Sequence, residues 1–187
     1  FVMPKAESAF SRHNAVYAAV AAQHGKTLML LRKRLAWGKP EIVTLASIVE
    51  KETGQKHERP MIASVFLNRL TLPSFSPKLL QTDPTIIYGC TVPEPRSAAC
   101  QKFAGRIRRI QLDDRDNTYN TYTHPGLPPG PICNPGRAAL TAVFAPAKSN
   151  FLYFVSKNDG THYFSKSLKE HNIAVGIYQK KVERAEQ

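Results

Sequence analysis

Acidic residues are scarce in this chain. Its 187 residues include 14 Asp and Glu against 26 Lys and Arg, which gives a formal net charge of +12. This imbalance predicts attraction to a polyanion or an anionic surface, such as nucleic acid, lipid headgroups or an acidic wall polymer. The basic residues are scattered and no nucleic-acid-binding motif is present, so we expect no nucleic-acid partner.

Long apolar runs are also absent, since none approaches the roughly 18 residues of a membrane-spanning helix. Hydrophobic residues nevertheless make up 42% of the chain and charged residues 21%, which is ordinary for a globular protein with a packed core. The length favours one domain. Because the first residue is Phe1 rather than Met, we expect a processed or trimmed piece of a longer protein.

Cysteine is rare, and its spacing argues against a zinc site. Cys90, Cys100 and Cys133 are the three cysteines, and none lies in a Cys-x-x-Cys pattern. We therefore expect no metal centre and no cofactor. A disulfide between Cys90 and Cys100 would close a short loop in an oxidising compartment and leave Cys133 unpaired. Reduced, partly buried thiols are the alternative.

The pattern of apolar and turn residues predicts an α+β, helix-rich domain with a small sheet. Helices are predicted over residues 8–36 with a break at Gly25, from about Pro40 to Thr53, from Pro60 onwards, from Pro135 to about Phe144 with Asn134 as cap, and from a Ser167/Glu170 capping box to about Glu183. Phe151–Ser156 and Thr161–Phe164 predict a hairpin with an Asp159-Gly160 turn. Residues 72–132 are predicted to form long functional loops.

Glu52 is misplaced on the helix predicted from Pro40 to Thr53. At about 100° per residue it lies near the middle of an apolar stripe, whereas Glu50 points to the opposite, solvent-like face. The stripe consists of Ile42, Leu45, Ile48 and Val49. Glu52 also precedes the helix stop at Gly54, where burial and the helix dipole would raise its pKa, as a general acid requires. Alternatively, the stripe ends there and Glu52 lies at the solvent edge.

Two loop segments, Leu80–Gly89 and Tyr119–Pro131, are rich in amide, hydroxyl and aromatic side chains. Aromatic rings stack on sugar rings, while amides and hydroxyls pair with sugar hydroxyls. Together with Glu52 these segments predict a sugar-binding groove. Taken singly, the same residues are typical of turns that stiffen a connection.

Several blocks of the sequence resemble a known family. Ala46–Thr53 is similar to a block of the MltG-type (YceG-like) endolytic murein transglycosylases of bacterial cell envelopes. Further similar blocks follow in order: Ala63–Leu70, Leu80–Gly89, Tyr119–Tyr122, Gly126–Pro131, Pro146–Lys148, Tyr153–Val155 and His171-Asn172. Because residues 1–40 match poorly, we expect an N-terminal helical segment there and the catalytic domain over residues 41–187. Cys90–Gln111 looks like a divergent insert.

The resemblance implies an enzyme that cuts peptidoglycan strands between MurNAc and GlcNAc and leaves a 1,6-anhydro-MurNAc end. It implies Glu52 as the catalytic residue, which the helical periodicity also singles out. Peptidoglycan strands are the implied partner, and the cell-wall synthesis machinery is a further expected one. The implied location is the periplasmic face of the inner membrane, with a membrane anchor and a LysM-like domain outside this chain.

The candidate glycan-binding residues are Gln81, Thr82, Asp83, Tyr119, Asn120 and Tyr122. We expect Asp83 to shape the site rather than attack the substrate. Asn68 and Arg69 are expected either to support the residues that contact the substrate or to be structural. A hydrolase would need a second carboxylate, for which Asp83 is the attractive choice. The alternatives are therefore a lysozyme-like hydrolase and a non-catalytic basic module that binds a wall polymer.

Overall fold

A computed structural model describes residues 6–179, apart from the side chains of residues 6–13, Arg32 and Arg34. This part of the chain forms nine helices and one two-stranded sheet, which confirms the α+β, helix-rich prediction. The elements are α1 (Ala6–Gln23), α2 (Gly25–Leu35), α3 (Lys39–Glu52), α4 (Arg59–Thr71), α5 (Asp83–Thr91), α6 (Ala98–Gln101), α7 (Arg109–Leu112), α8 (Arg137–Phe144), β1 (Tyr153–Ser156), β2 (His162–Ser165) and α9 (Leu168–Tyr178).

The hydrophobic core is built around α3. All of its residues from Ile42 to Val49 are buried, so neighbours cover this helix on every side and not along one stripe. Helix α8 packs against α1, α3 and α4, and its Phe144 lies fully buried with Phe66 of α4. The hydroxyl of Ser47, inside this core, donates to the Thr44 carbonyl (2.7 Å) and accepts from the Ile132 amide (2.9 Å). The end of α3 is therefore held firmly from several directions.

The predicted helices before residue 72 are confirmed. The region 8–36 forms α1 and α2 with a break at His24, next to the predicted break at Gly25. Pro60 lies in the first turn of α4. The predicted cap of α8 is wrong: Gly136, not Asn134, precedes the helix. The Gly136 amide donates to Glu50 Oε2 (3.0 Å), so a contact with α3 fixes where α8 begins.

The predicted hairpin is present, with Tyr153 opposite Ser165 and Ser156 opposite His162 in antiparallel register. Its turn is longer than an Asp-Gly turn, since the Lys157 amide donates to the Thr161 carbonyl (2.9 Å). Helix α9 packs against this hairpin. It begins with the predicted cap, in which the Ser167 hydroxyl accepts from the Glu170 amide (3.2 Å). The predicted continuation beyond residue 179 lies outside the described residues.

The middle of the chain is more regular than predicted, because α5, α6 and α7 interrupt residues 72–132. A disulfide joins Cys90 at the end of α5 to Cys100 in α6, and Cys133 is free. The sequence had left this pairing open. Within residues 6–179, no helix is both long and apolar enough to cross a membrane.

Candidate active site

A cavity of about 360 Å³ opens at the C-terminal end of α3. Its walls come from α3, α4, the start of α5 and the segment before it, the loop after α7, β1 and α9. The lining residues are Glu52, Arg69, Leu80, Gln81, Asp83, Tyr122, Tyr153, Phe154, Leu168 and His171. Residues far apart in sequence therefore share one concave surface, which we call the first cavity.

Glu52 is the last residue of α3 and is half-buried in the wall of the first cavity. The Thr82 hydroxyl donates a hydrogen bond to its Oε1 atom. Within the described part of the chain, Oε2 has no hydrogen-bond partner. One carboxyl oxygen is thus fixed by the protein, and the other remains available for a substrate.

The pKa of Glu52 is raised to about 7, chiefly because burial disfavours the charged form. The hydrogen bond from Thr82 and the positive charge of Arg69 lower this pKa, whereas the negative charge of Asp83 raises it. The effect of burial on the pKa is larger than the opposing effect of these contacts. A carboxyl group of this kind is partly protonated at neutral pH, so it can both donate and accept a proton.

Thr82 is held in place by two further threonines. Its amide donates to Thr121 Oγ1 (3.1 Å), and the Thr85 hydroxyl donates to its carbonyl (2.7 Å). The hydroxyls of Thr85 and Thr121 lie 2.9 Å apart. Thr82 precedes α5 at the N-cap position, where a threonine hydroxyl commonly binds the helix backbone, yet here it makes no capping bond. Its hydroxyl is directed to Glu52 instead.

Gln81 adopts a left-handed backbone conformation, with φ of 51°. This region is unfavourable for residues other than glycine by roughly 1–2 kcal/mol. The Gln81 amide donates to the Thr121 carbonyl (3.1 Å), which holds the segment in place. Backbone strain of this kind is concentrated at functional sites, where the surroundings enforce it.

Asp83 also lines the first cavity, but a tyrosine engages its carboxylate. The Tyr122 hydroxyl donates to Asp83 Oδ1 (2.6 Å). Burial and this hydrogen bond raise the pKa of Tyr122, so its hydroxyl stays protonated and continues to donate. The pair forms a polar part of the cavity wall. Asp83 and Glu52 are the two carboxylates among the residues that line this cavity.

Arg69 is more central than the sequence indicated. Its buried guanidinium donates to the Leu80 carbonyl (2.5 Å) and the Leu152 carbonyl (2.6 Å), which ties two walls of the first cavity together. It also lies over the rings of Phe75 (5.4 Å) and Tyr153 (5.2 Å). Arg69 thus supports the cavity, as expected of a structural residue, and in addition lines it and acts on the charge of Glu52.

The aromatic wall of the first cavity was not among the predicted site residues. The Tyr153 ring stacks on the His171 imidazole, with 5.4 Å between centroids. Burial and the charge of Arg69 lower the pKa of His171, so the ring is neutral at neutral pH. Both residues belong to blocks that carry the family resemblance, which was the available signal for them.

Three predicted binding residues do not line the first cavity: Thr82, which is buried and contacts it only through Glu52, and Tyr119 and Asn120. Tyr119 packs against Tyr88, with 4.8 Å between ring centroids. Asn120 is fully buried, and its side-chain amide donates to three backbone carbonyls, including that of Asp114 (2.7 Å). Their contact with glycan stays a prediction, while their geometry favours a role in holding the loop.

The expectation that Glu50 faces solvent is wrong. Its Oε1 atom lies 2.7 Å from Nη2 of Arg59, and its side chain is only 26% exposed. Its Oε2 atom accepts a hydrogen bond from the backbone amide of Gly136. The periodicity correctly sent Glu50 and Glu52 to different sides of α3, but it could not show that α8 and the start of α4 cover the Glu50 side.

The chain is similar in sequence to a known protein family and to named bacterial proteins. The model of the YceG-like family matches residues 4–176. Proteins named endolytic murein transglycosylase are 41% identical over 138 residues in Bacillus subtilis and 31% identical over 146 residues in Streptococcus pneumoniae. These alignments cover 74% and 75% of this chain but 34% and 24% of the relatives, so the chain spans about a third or less of their length.

A crystal structure of a yceG-like protein from Listeria monocytogenes is 36% identical to this chain, with a TM-score of 0.63. The match covers 82% of this chain and 44% of that one. The family match includes the segment before residue 41, and the division of the chain at residue 40 stays a prediction. From the extent of these matches, the chain belongs to the YceG-like family.

Proposed function

We propose that this chain is the catalytic part of a lytic transglycosylase that cleaves the glycan strands of peptidoglycan. The observation that carries the proposal is Glu52, a carboxyl group with a pKa of about 7 in the wall of a cavity lined by rings and polar groups. The names of the bacterial relatives agree with this substrate. The proposed site of action is the cell envelope, with a membrane anchor outside this chain and the synthesis machinery as a further partner.

In the proposed reaction, protonated Glu52 donates its proton to the glycosidic oxygen as the bond from that oxygen to the anomeric carbon breaks. The C6 hydroxyl oxygen of the same muramic acid then bonds to the anomeric carbon. Its proton passes to the Glu52 carboxylate, which restores the acid. No water is consumed, and the product is a 1,6-anhydro-MurNAc end.

The protein groups around Glu52 suit these steps. Thr82 fixes one carboxyl oxygen, which leaves the other to face the substrate. The carboxylate of Asp83 would help to stabilise the positive charge that develops on the sugar ring. Because the substrate supplies the nucleophile, one catalytic carboxyl group is sufficient.

Digestion of purified peptidoglycan by the chain tests the proposal. Mass spectrometry should find released fragments that end in anhydro-MurNAc, each lighter by one water than a reducing end. Release of reducing ends alone would overturn the transglycosylase reaction. Absence of cleavage by wild-type protein that binds the strands would favour the non-catalytic binding module.

A hydrolase remains the second candidate because Asp83 lines the same cavity as Glu52. On that mechanism Asp83 would be the second carboxylate, and Asp83→Asn would abolish cleavage. On the proposed mechanism Asp83 accepts from Tyr122, modulates Glu52 and supports the developing positive charge, so Asp83→Asn should slow cleavage without abolishing it and leave the anhydro product unchanged.

A further inference from the structure

A second cavity, of about 690 Å³, adjoins the first, and Tyr122 lines both. Aliphatic side chains form much of its wall, and two guanidinium groups lie among them. The aliphatic residues are Pro77, Leu79, Leu112 and Pro125, and the cations are Arg109 and Arg115. A strand bound beside Glu52 would therefore extend its substituents towards this second cavity.

The two cations differ in their pairing. Arg109 is neutralised by Asp113, with Nε and Oδ2 2.6 Å apart, and Asp113 lines the same cavity. The guanidinium of Arg115 makes neither an ion pair nor a hydrogen bond with any residue from 6 to 179. The second cavity thus carries one uncompensated positive charge.

The backbone that carries Arg115 is held firmly in place. Nε2 of His124 lies 2.9 Å from the Arg115 carbonyl oxygen, to which it donates. The preceding carbonyl, of Asp114, accepts from Asn120 (2.7 Å) and from the Thr123 hydroxyl (3.2 Å). The buried amide of Asn120 therefore helps to fix the position from which Arg115 reaches the cavity.

The two cavities suit different chemical groups. The first has aromatic rings and carboxylates, which are typical of sugar sites. The second has aliphatic side chains and the guanidinium of Arg115, and Tyr122 is the single aromatic residue of its lining. Small apolar side chains together with a free carboxylate match this lining better than a further sugar does.

We infer that the second cavity binds the acidic peptide stem on a muramic acid beside the scissile bond, with Arg115 contacting a carboxylate of that stem. This inference rests on the proposed function, since it takes peptidoglycan as the substrate. It assigns to the chain a preference for strands that still carry their peptides.

The test compares peptide-bearing strands with strands from which an amidase has removed the peptides. Arg115→Gln should raise KM for peptide-bearing strands by about three- to tenfold, with kcat unchanged and no effect on bare strands. The matched control is Arg106→Gln, because Arg106 is an exposed arginine of the same region that lines neither cavity. Arg106→Gln should leave KM unchanged for both kinds of strand.

An equal rise in KM on both kinds of strand would assign the second cavity to the glycan and so overturn the inference. An unchanged KM on both kinds of strand would also overturn it. A titration of the free, soluble stem peptide by NMR separates this inference from the proposed function. Binding by wild-type protein that Arg115→Gln weakens and Arg106→Gln does not would support the peptide site even if no strand were cleaved. Binding that is insensitive to Arg115→Gln would overturn it.

Discussion

Glu50 and Glu52 leave the last turn of α3 towards opposite sides and meet different surroundings. Glu50 lies against Arg59 and the amide of Gly136, so its negative charge is matched by donors. Among residues 6–179, Glu52 accepts a hydrogen bond from Thr82 alone, and burial raises the pKa of Glu52 to about 7. The same type of side chain is thus ion-paired on one side of the helix and has a raised pKa on the other, and the neighbouring elements make the difference.

Removal of the Glu52 carboxyl group should have the largest effect. Glu52→Gln is expected to lower kcat for glycan cleavage by about 10²–10⁴-fold, because an amide cannot transfer the proton. The fold should persist, since glutamine is of similar size and can still accept from Thr82. Release of soluble fragments measures the rate, and Glu50→Gln is the matched control. A variant that keeps more than about a tenth of wild-type kcat would remove Glu52 from the proton transfer.

The activity of the wild type should fall as pH rises through about 7, because the first step needs protonated Glu52. This alkaline limb of the pH profile should appear in kcat/KM, whose pH dependence reports the ionisation of the free enzyme. A profile that stays flat from pH 6 to pH 9 would contradict the raised pKa.

The pH dependence of stability should also reflect the ionisation of Glu52. The pKa of Glu52 is higher in the folded chain than its ordinary 4.5, so the folded state binds the proton more tightly. Its contribution is fully present below about pH 4.5 and is lost as pH rises through about 7. The difference in free energy of unfolding between wild type and Glu52→Gln should therefore change across this range. Urea titrations at several pH values measure it, and a constant difference would refute the assignment.

A smaller effect is expected from Thr82→Val. Loss of the hydroxyl removes a contact that lowers the pKa of Glu52, so the alkaline limb of the activity profile should move to higher pH. Thr85→Val is the matched control, because Thr85 belongs to the same hydroxyl cluster but does not contact Glu52. Equal shifts in the two variants would show that loop packing, and not the hydrogen bond to Glu52, sets its pKa.

The smallest effect on activity is expected from Glu50→Gln. This change weakens the pair with Arg59, which is 8% exposed, and should lower the free energy of unfolding by about 1 kcal/mol. Cleavage per folded molecule should stay near the wild-type value. Urea unfolding and fragment release measure the two quantities on the same preparation. A large fall in kcat with an unchanged fold would mean that the Glu50 side also takes part in catalysis.

Some of the site could be predicted from local sequence. The periodicity of α3 located Glu52, and the loop composition indicated Gln81, Asp83 and Tyr122, which all line the first cavity. Arg69 was expected to have a supporting or structural role and not to line the site, because nothing local shows that its guanidinium crosses to Leu80 and Leu152. Helix α5 was missed because it is short and turn-forming residues surround it.

The sequence by itself determined the helix that carries Glu52, the side of that helix on which it lies and the family to which the chain belongs. Only the tertiary structure decided that Glu50 pairs with Arg59, that the Thr82 hydroxyl donates to Glu52 and that Arg115, with no ion-pair partner among the described residues, lines a second cavity. Periodicity reports the direction of side chains along one helix, which is a local property. The pKa of a carboxyl group depends on burial and on charges supplied by residues distant in sequence, so it is fixed only when the chain has packed.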